Sequence, residues 1–221
     1  IEGGKEKRVI TEDGKTFKSK ILIICTGKSQ RHLDVPGEEK LNGKGVAYCT
    51  TCDAPLFKDK KVAVIGAGNA GIESAIDLAK IATHVTVIQH SERVKSDPIL
   101  YDRLKKHDNY DVMLKSDVKE ILGEDEVTGL KYYNKENNKK GELEVDGIFI
   151  KIGAVPNSAF AKNVIPLNDR GEIPVDCGCK TEVKGIFAAG DVTTVQFKQI
   201  IIAAGEGAKA ALSASAYLMK N

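Results

Sequence analysis

A glycine-rich hexapeptide, Gly66-Ala67-Gly68-Asn69-Ala70-Gly71, constrains the fold more than any other feature of this chain. Residues 62–65 before it form a continuous apolar run, which is typical of a strand buried on both faces. After it, apolar residues recur with the spacing of one helix face, at Ile72, Ala75, Ile76 and Ala79. Residues 85–88 form a second apolar run. A strand, a glycine turn, a helix and a strand in this order predict a dinucleotide-binding βαβ unit.

Each glycine of the hexapeptide has its own role in such a turn. Gly66 permits the tight turn, Gly68 lets the backbone approach a pyrophosphate, and Gly71 allows close packing of helix against strand. Asn69 opens the helix, whose free N–H groups and positive dipole end suit phosphate groups. A plain turn between a strand and a helix remains an open interpretation of these residues.

The end of the second strand bears on the choice of nucleotide. An acidic residue there binds the ribose 2′-hydroxyl of NAD, whereas a nearby arginine accommodates the 2′-phosphate of NADP. This strand ends in Gln89, which can hydrogen-bond a hydroxyl but carries no charge, and Arg93 and Lys95 follow a few residues later. Because no pair of arginines directly follows the strand, the sequence favours NADH over NADPH. His90 is predicted to be an exposed loop residue.

Two cysteines are three positions apart in the segment Cys49-Thr50-Thr51-Cys52-Asp53. This spacing can close a small disulfide ring and perform dithiol–disulfide exchange, in which a thiolate is the nucleophile. Asp53 is an acid group at a suitable distance in sequence to manage the proton. Two interpretations remain open beside this one: inert thiols, or half of a zinc site completed by Cys177 and Cys179. Cys25, inside an apolar run, is predicted to be a packed small hydrophobe.

The order of the two motifs indicates a further cofactor. The cysteine pair directly precedes the glycine motif, which brings a dithiol close to a nicotinamide site in sequence. A nicotinamide delivers a hydride, and a disulfide needs two electrons at sulfur. Because direct transfer between the two is uncommon, a flavin is the usual intermediary. The sequence therefore predicts a flavin in addition to a pyridine nucleotide.

The composition excludes several classes of protein. Lys and Arg number 33 against 31 Asp and Glu, and this net charge of +2 argues against a nucleic-acid-binding surface. No apolar run approaches the roughly 20 residues that span a bilayer, so no membrane partner is expected. Five cysteines in 221 residues are too few for a disulfide scaffold, which favours a reducing cytoplasm. The chain starts at Ile1 rather than at Met, so we expect a piece of a longer protein.

Four segments together resemble the thioredoxin reductase family, and within it the reductase (F) subunits of alkyl hydroperoxide reductase. They are residues 25–38 (CTGKSQRHLDVPGE), 48–79 (YCTTCDAPLFKDKKVAVIGAGNAGIESAIDLA), 147–157 (GIFIKIGAVPN) and 185–214 (GIFAAGDVTTVQFKQIIIAAGEGAKAALSA). The resemblance implies an α/β fold, in which a doubly wound NAD(P)-binding domain is inserted in an incomplete FAD-binding domain of the pyridine nucleotide-disulfide reductase type. The inserted domain would be residues 31–153, and the FAD domain residues 1–30 and 154–221. The glycine turn of the FAD domain itself would precede residue 1.

The resemblance also implies a role for each motif residue. Cys49 would attack the disulfide of a partner, Cys52 would face the flavin, and Asp53 would exchange protons beside them. The three glycines of the hexapeptide would bind the pyridine nucleotide, with Gly153 near the nicotinamide. The residues that would line FAD are Thr26, Gly27, Gly190 and Asp191, and those that would meet the flavin ring are Gln199 and Ile200.

The family resemblance further implies the electron path and the partners. Electrons would run from NAD(P)H to FAD, then to Cys49 and Cys52, and on to a thioredoxin-like protein or domain, with a peroxiredoxin downstream and no metal. The full-length protein would be a homodimer. Ala54 departs from the family, which has glycine there, so the shape of this loop is in question. Two alternatives remain: a nucleotide-binding piece without turnover, because the FAD pyrophosphate turn is absent, and a flavin-binding fold without dithiol chemistry.

Overall fold

The computed structural model describes residues 1–220. The strands are β1 (Lys7–Ile10), β2 (Thr16–Ser19), β3 (Leu22–Ile24), β4 (Lys28–Gln30), β5 (Val46–Ala47), β6 (Lys61–Ile65), β7 (His84–Ile88), β8 (Tyr110–Met113), β9 (Ser116–Leu122), β10 (Gly129–Asn134), β11 (Lys139–Glu144), β12 (Gly147–Ile150), β13 (Ala154–Pro156) and β14 (Ile186–Ala188). The helices are α1 (Thr50–Asp53), α2 (Asn69–Ala79), α3 (Pro98–Leu104) and α4 (Ile200–Leu218), with single 3-10 turns at Ala54–Phe57, Ala159–Ala161 and Gly190–Val192. Within the described residues, no helix has the length and apolar composition that crossing a membrane requires.

The chain divides into two compact units. The inserted unit comprises residues 31–153, and the split unit comprises residues 1–30 together with residues 154–221. Buried apolar clusters occur in the inserted unit and, separately, in the split unit. Each unit thus has a core of its own, as a domain does.

A five-stranded parallel sheet, in the order β5-β12-β6-β7-β8, forms the centre of the inserted unit. Alternate side chains along β6 enter two different cores. Val62 and Val64 pack with α2, whereas Ala63 and Ile65 pack with the antiparallel sheet β11-β10-β9. The strand is therefore apolar at consecutive positions because both of its faces are covered. This confirms the prediction of a strand buried on both faces over residues 62–65.

The glycine hexapeptide follows the carboxyl end of β6. From β6 the chain runs through α2 to β7, which pairs with β6 on one side, while β12 pairs with β6 on the other. Open α/β sheets bind their ligands outside the carboxyl ends of the strands, at the point where the order of the strands reverses. The topology therefore places residues 66–71 at the ligand-binding edge of this class of sheet.

The split unit contains three two-stranded pairings and the longest helix. β1 and β2 form a hairpin, β3 runs parallel to β14, and β4 runs antiparallel to β13. The helix α4 packs on the β3–β14 pair through Phe187, Ala189, Ala210 and Ala214. Because Ile186 and Ala188 alternate with these residues along the strand, they enter a second core. The alanine-rich tail that the sequence predicts to be a helix is helical, as α4.

Three local predictions differ from the structure. The stretch 27–45, rich in glycine and charged residues, predicts a loop, but residues 28–30 form β4, because pairing with β13 holds this polar strand. Cys25, expected to be packed, is exposed, because β3 ends one residue before it. The polar tract over residues 134–141 predicts a hairpin turn, and the observed turn is shorter, because Asn134 still pairs with Lys139.

Candidate functional site

The cysteine pair forms a disulfide at the start of α1. Cys49 precedes the helix and Cys52 lies in its single turn, so their Cα atoms are 5.3 Å apart, within reach of an S–S bond. The backbone N–H of Cys52 donates a hydrogen bond to the Cys49 Sγ at 3.3 Å. Cys52 is exposed, whereas Cys49 and Asp53 are half-buried. The disulfide therefore has a face from which another thiol can reach it.

Ala54, where the resemblance implies glycine, fits this loop. Its backbone has φ −51° and ψ −39°, which is the right-handed helical region that any residue adopts. Its side chain is buried at the start of the 3-10 turn Ala54–Phe57. The alanine therefore introduces no backbone strain next to the cysteine pair.

Thr50 connects the disulfide helix to the helix of the glycine motif. Its Oγ1 donates a hydrogen bond to the Ser74 Oγ at 2.7 Å, and the Ser74 hydroxyl in turn donates to the Ala70 carbonyl oxygen at 2.6 Å. Both side chains are buried. No sequence signal marks this pair, because two hydroxyl residues 24 positions apart have no pattern of their own. The bond ties α1 to the first turns of α2.

The three glycines of the hexapeptide meet different surroundings. Gly66 has φ +109°, a conformation that favours glycine. A Cβ on Gly71 would lie 1.9 Å from the Gly66 carbonyl oxygen, so only glycine allows this close approach of helix and strand. A Cβ on Gly68 would meet nothing within 4 Å. The first and third glycines therefore serve the turn and the packing, and the second borders open space.

The amino terminus of α2 begins without a side-chain cap. Gly68 is the residue before the helix, and no side chain hydrogen-bonds its first N–H groups. Such an end attracts an anion through its N–H groups and its dipole. Asn69 has another role: its Nδ2 donates to the Asp97 Oδ2 at 2.9 Å, and its Oδ1 accepts from the Asp97 N–H at 2.8 Å. The asparagine thus fixes the start of α2 to the start of α3.

Gln89 is buried and turns its amide into the glycine turn. Its Oε1 accepts a hydrogen bond from the Ala67 N–H at 2.9 Å, and its Nε2 donates to the Ser91 Oγ at 2.6 Å. These two bonds hold the turn and the loop after β7. The residue therefore supports the turn directly, a role that its position at a strand end did not predict.

A cleft of about 420 Å³ opens beside the glycine turn, lined by residues that include Gly66, Gln89, His90 and Asp117. Asp117 is the acid at its rim, with His90 Nδ1 at 2.6 Å and Lys135 Nζ at 3.0 Å. Burial would raise the pKa of Asp117, but hydrogen bonds with Lys135, His90 and Lys119 lower it to about 2. An ionised carboxylate therefore stands at the edge of the cleft. His90 is exposed, as predicted.

Gly153 closes the inserted unit at the point where the chain leaves it. Its φ is +98°, in the region that favours glycine. Its carbonyl oxygen accepts a hydrogen bond from the Arg31 N–H at 3.0 Å. The first and last residues of the inserted unit are therefore joined directly, on the segment that follows β12.

Glu38 is a buried carboxylate that no sequence pattern marks, and it is bonded to the residue before the cysteine pair. Glu38 is only 4% exposed and accepts hydrogen bonds from the backbone N–H groups of Leu33 and Asp34 and, at 2.7 Å, from the Tyr48 hydroxyl. His32 Nδ1 lies 3.2 Å away. Burial would raise the pKa of Glu38, but these hydrogen bonds lower it below its usual value. Because Tyr48 directly precedes Cys49, this carboxylate fixes one end of the disulfide loop.

In the split unit, Thr26–Gly27 and Gly190–Asp191 follow the carboxyl ends of two paired strands. β3 and β14 run in parallel, so the segments after them lie at the same edge of the sheet. Thr26 Oγ1 donates to the Asn157 carbonyl oxygen at 2.6 Å, and Asn157 Nδ2 donates back to the Thr26 carbonyl oxygen at 2.9 Å. This edge is where a nucleotide binds in open α/β sheets.

The start of α4 lies against the same edge. Gly190 has φ +75°, and a Cβ on it would lie 3.3 Å from the Ala203 Cβ in the first turn of the helix. Gln199 precedes the helix, whose first N–H groups have no side-chain cap. Ile200 is 88% exposed. An exposed apolar side chain and uncapped N–H groups at one helix start have the chemistry that a flavin ring requires, which is an apolar contact and hydrogen-bond donors.

The three remaining cysteines all lie in the split unit. Cys179 is buried and donates from its Sγ to the Glu206 carboxylate at 3.3 Å, while Cys177 is exposed. Burial, followed by the Glu206 contact, raises the pKa of Cys179 to about 11. In the part of the chain that the structure describes, no three His, Cys, Asp or Glu side chains are grouped as metal ligands.

Known proteins that are similar to this chain belong to one family of oxidoreductases. The family model described as "Pyridine nucleotide-disulphide oxidoreductase" matches residues 2–207. The reductase (F) subunit of alkyl hydroperoxide reductase from Staphylococcus aureus (strain MSSA476) is 49% identical over 97% of this chain, and that from Escherichia coli (strain K12) is 46% identical over all of it. In both cases this chain spans 42% of the relative's length.

Solved structures agree with the sequence relatives. The thioredoxin reductase of Streptococcus pyogenes MGAS5005 has a TM-score of 0.93 and 35% identity, covering 100% of this chain and 72% of its own. The thioredoxin reductase of T. acidophilum is 39% identical over 96% of this chain and 70% of its own, with a TM-score of 0.67. The α/β fold, the disulfide and these matches have one explanation: the chain belongs to the pyridine nucleotide-disulphide oxidoreductase family, within its thioredoxin reductase group.

Proposed function

We propose that this chain belongs to an enzyme that passes electrons from NAD(P)H through FAD to the Cys49–Cys52 disulfide, and then to a thioredoxin-like protein or domain. The observation that carries the proposal is an accessible disulfide in the same unit as a glycine turn that suits a dinucleotide. The names of the relatives, thioredoxin reductase and alkyl hydroperoxide reductase, support it. The second name also supports a peroxiredoxin as the acceptor further downstream.

The two units would divide the cofactors between them. In the inserted unit, Gly66, Gly68 and the start of α2 would hold the pyrophosphate of the nicotinamide cofactor, with Gly153 towards the nicotinamide. In the split unit, the residues that would hold FAD are Thr26, Gly27, Gly190, Asp191, Gln199 and Ile200. The chemistry that bound FAD supplies is acceptance of a hydride and delivery of two electrons to a disulfide. A cytoplasmic homodimer is part of the proposal.

The cysteines would carry out the exchange with the partner. The Cys49 thiolate attacks the partner disulfide, forms a mixed disulfide and releases one thiolate of the partner. Cys52 then attacks the Cys49 sulfur, which restores the Cys49–Cys52 bond and releases the second sulfur of the partner. Asp53, half-buried in the same helix, accepts the proton of the Cys52 thiol and returns a proton to the leaving sulfur. Two electrons thereby pass to the partner.

A test of the exchange step uses the chain alone. The dithiothreitol-reduced chain, freed of reductant, should reduce an oxidised thioredoxin, and mass spectrometry of alkylated samples measures the product. Cys49→Ser should abolish the reaction, whereas Cys52→Ser should accumulate a mixed disulfide, because the resolving thiol is missing. Cys177→Ser, at an exposed cysteine outside the pair, is the matched control and should react like the wild type. Unchanged exchange by Cys49→Ser would disprove the proposal.

For the cofactor, we propose that NADH binds more tightly than NADPH. No pair of arginines directly follows β7 to bind a 2′-phosphate. We expect the dissociation constant for NADH to be lower than that for NADPH. Because the chain contains no Trp, the fluorescence of bound NADH or NADPH can be titrated without energy transfer from indole. Equal affinities for the two nucleotides would contradict this preference.

A second candidate function is nucleotide binding without turnover. It is favoured by the length of the match, since the chain spans 42% of its curated relatives. Retention of flavin distinguishes the two. A purified chain that is yellow and is bleached by NADH without oxygen supports turnover by this chain. A colourless preparation that still binds NADH supports the second candidate for the chain by itself.

A further inference from the structure

One lysine reaches the backbone of the disulfide loop from the neighbouring strand. Lys151 directly follows β12, and its N–H donates to the Ile65 carbonyl oxygen at 2.8 Å. A Cβ on Gly66 would lie 2.5 Å from the Lys151 carbonyl oxygen, so this stretch of backbone is packed against the glycine turn. The position of Lys151 is therefore fixed by the sheet rather than by a loop.

The side chain of Lys151 ends at the peptide group before Cys49. Its Nζ donates a hydrogen bond to the Tyr48 carbonyl oxygen at 2.8 Å. Standard bond lengths between that oxygen and the next side chain place the Cys49 Sγ within about 8 Å of the ammonium. At this distance, between two half-buried groups, one charge changes the energy of another by an amount that is still measurable. Lys151 is thus a nearby cation for the Cys49 sulfur.

The charged groups that face Lys151 determine how strongly its ammonium acts on the Cys49 sulfur. Burial lowers the pKa of Lys151, while the negative charges of Asp53 on α1 and Glu73 on α2 raise it. Its hydrogen bond is to a neutral carbonyl oxygen and not to a carboxylate. The charged form of a half-buried ammonium in this environment is stabilised further when a new negative charge forms nearby. Reduction of the disulfide creates such a charge.

We propose that Lys151 stabilises the thiolate that remains on Cys49 when the Cys49–Cys52 disulfide is reduced. The Cys49 sulfur already accepts the Cys52 N–H at 3.3 Å, which favours the negative charge on this sulfur. With a dithiol as reductant, the S–S bond breaks, the dithiol becomes a cyclic disulfide, one of its protons binds Cys52 and the other enters solution. Lys151 touches none of the reacting atoms, so it is a positioning residue. The inference rests on the proposed function, in which Cys49 is the attacking thiolate.

Substitution of Lys151 by glutamine tests the charge, because glutamine keeps a donor for the Tyr48 carbonyl. In Lys151→Gln the pKa of the Cys49 thiol should rise by about one unit, measured as the pH dependence of alkylation by iodoacetamide. The equilibrium constant for reduction by dithiothreitol should fall about tenfold above that pKa, which corresponds to about 30 mV. Lys151→Arg keeps the charge and should stay close to the wild type. Lys151→Met is a second uncharged variant and should behave like Lys151→Gln.

The pH dependence separates charge from structure. Below the pKa of the thiol both sulfurs are protonated, so the wild type and Lys151→Gln should have the same equilibrium constant there. If the wild type and Lys151→Gln have equal equilibrium constants at every pH, the role of Lys151 is overturned. A difference between the two constants that persists at low pH would also overturn this role, because such a difference would reflect altered packing. If the wild-type pair cannot be reduced reversibly at all, the proposed function fails as well. The two failures are therefore distinguishable.

Discussion

Replacement of Gly71 by alanine should destabilise the inserted unit by about 3 kcal/mol and abolish its binding of NADH. The added Cβ would lie 1.9 Å from the carbonyl oxygen of Gly66 and 2.8 Å from its carbonyl carbon. These are backbone atoms, which cannot rotate away as a side chain can. Either α2 moves away from β6 or the turn at Gly66 opens, and both changes displace the N–H groups that would face a pyrophosphate. Urea denaturation and NADH titration measure the two effects.

Gly68→Ala is the matched control for this substitution. It adds the same methyl group three residues earlier, where a Cβ meets nothing within 4 Å and where φ is −83°. The free energy of unfolding should therefore change by less than about 0.5 kcal/mol. If a pyrophosphate occupies the open space, NADH binding should nevertheless weaken. A stable Gly71→Ala with normal NADH affinity would contradict the close approach of helix and strand.

Replacement of Glu38 by alanine should cost the inserted unit about 3 kcal/mol. The carboxylate is buried and accepts from two backbone N–H groups, those of Leu33 and Asp34, and from the Tyr48 hydroxyl. Alanine leaves these donors without their acceptor. The rate of Cys49 alkylation in the reduced chain should also change, because Tyr48 directly precedes this cysteine. Glu39→Ala is the control, since Glu39 is exposed and its loss should cost less than about 0.5 kcal/mol.

The pH dependence of stability gives a separate test of Glu38. The pKa of this carboxyl is lowered in the folded chain from its usual 4.5, because hydrogen bonds outweigh burial. Its contribution is therefore fully present above pH 4.5 and is lost as the pH falls through the lowered value. The difference in free energy of unfolding between the wild type and Glu38→Gln should be constant above pH 4.5 and should shrink below it. A difference that grows towards acid pH would show that the carboxylate is not stabilised by these donors.

Local patterns are sufficient to predict the elements around the glycine turn. The continuous apolar run before residue 66 and the helical spacing after it lie within about 15 residues of each other, and each reflects the burial of one element. The same holds for α4, whose alanine-rich sequence favours a helix by its own intrinsic propensity. β4 has no such signal, because its polar residues are strand only through pairing with β13, more than 120 residues later.

The cysteine pair and the glycine turn are also recognisable from the sequence, because their chemistry depends on residues close together in the chain. A disulfide across three positions and a turn that needs φ +109° at Gly66 leave local signatures. The direction of the Gln89 side chain leaves none. The hydrogen bonds of its amide with the Ala67 N–H and the Ser91 hydroxyl become visible only in the folded chain.

The sequence by itself determined the α/β fold class, the glycine turn and the cysteine pair of this protein, because short-range periodicity and spacing encode them. Only the tertiary structure decided what surrounds the dithiol: the carboxylate of Glu38, the Thr50–Ser74 bond and the ammonium of Lys151. The Lys151 contact joins residues 103 positions apart, and nothing in the local sequence marks either one. Electrostatic surroundings arise from the packing of distant strands, so the charges that tune a reactive sulfur become visible only once the sheet is assembled.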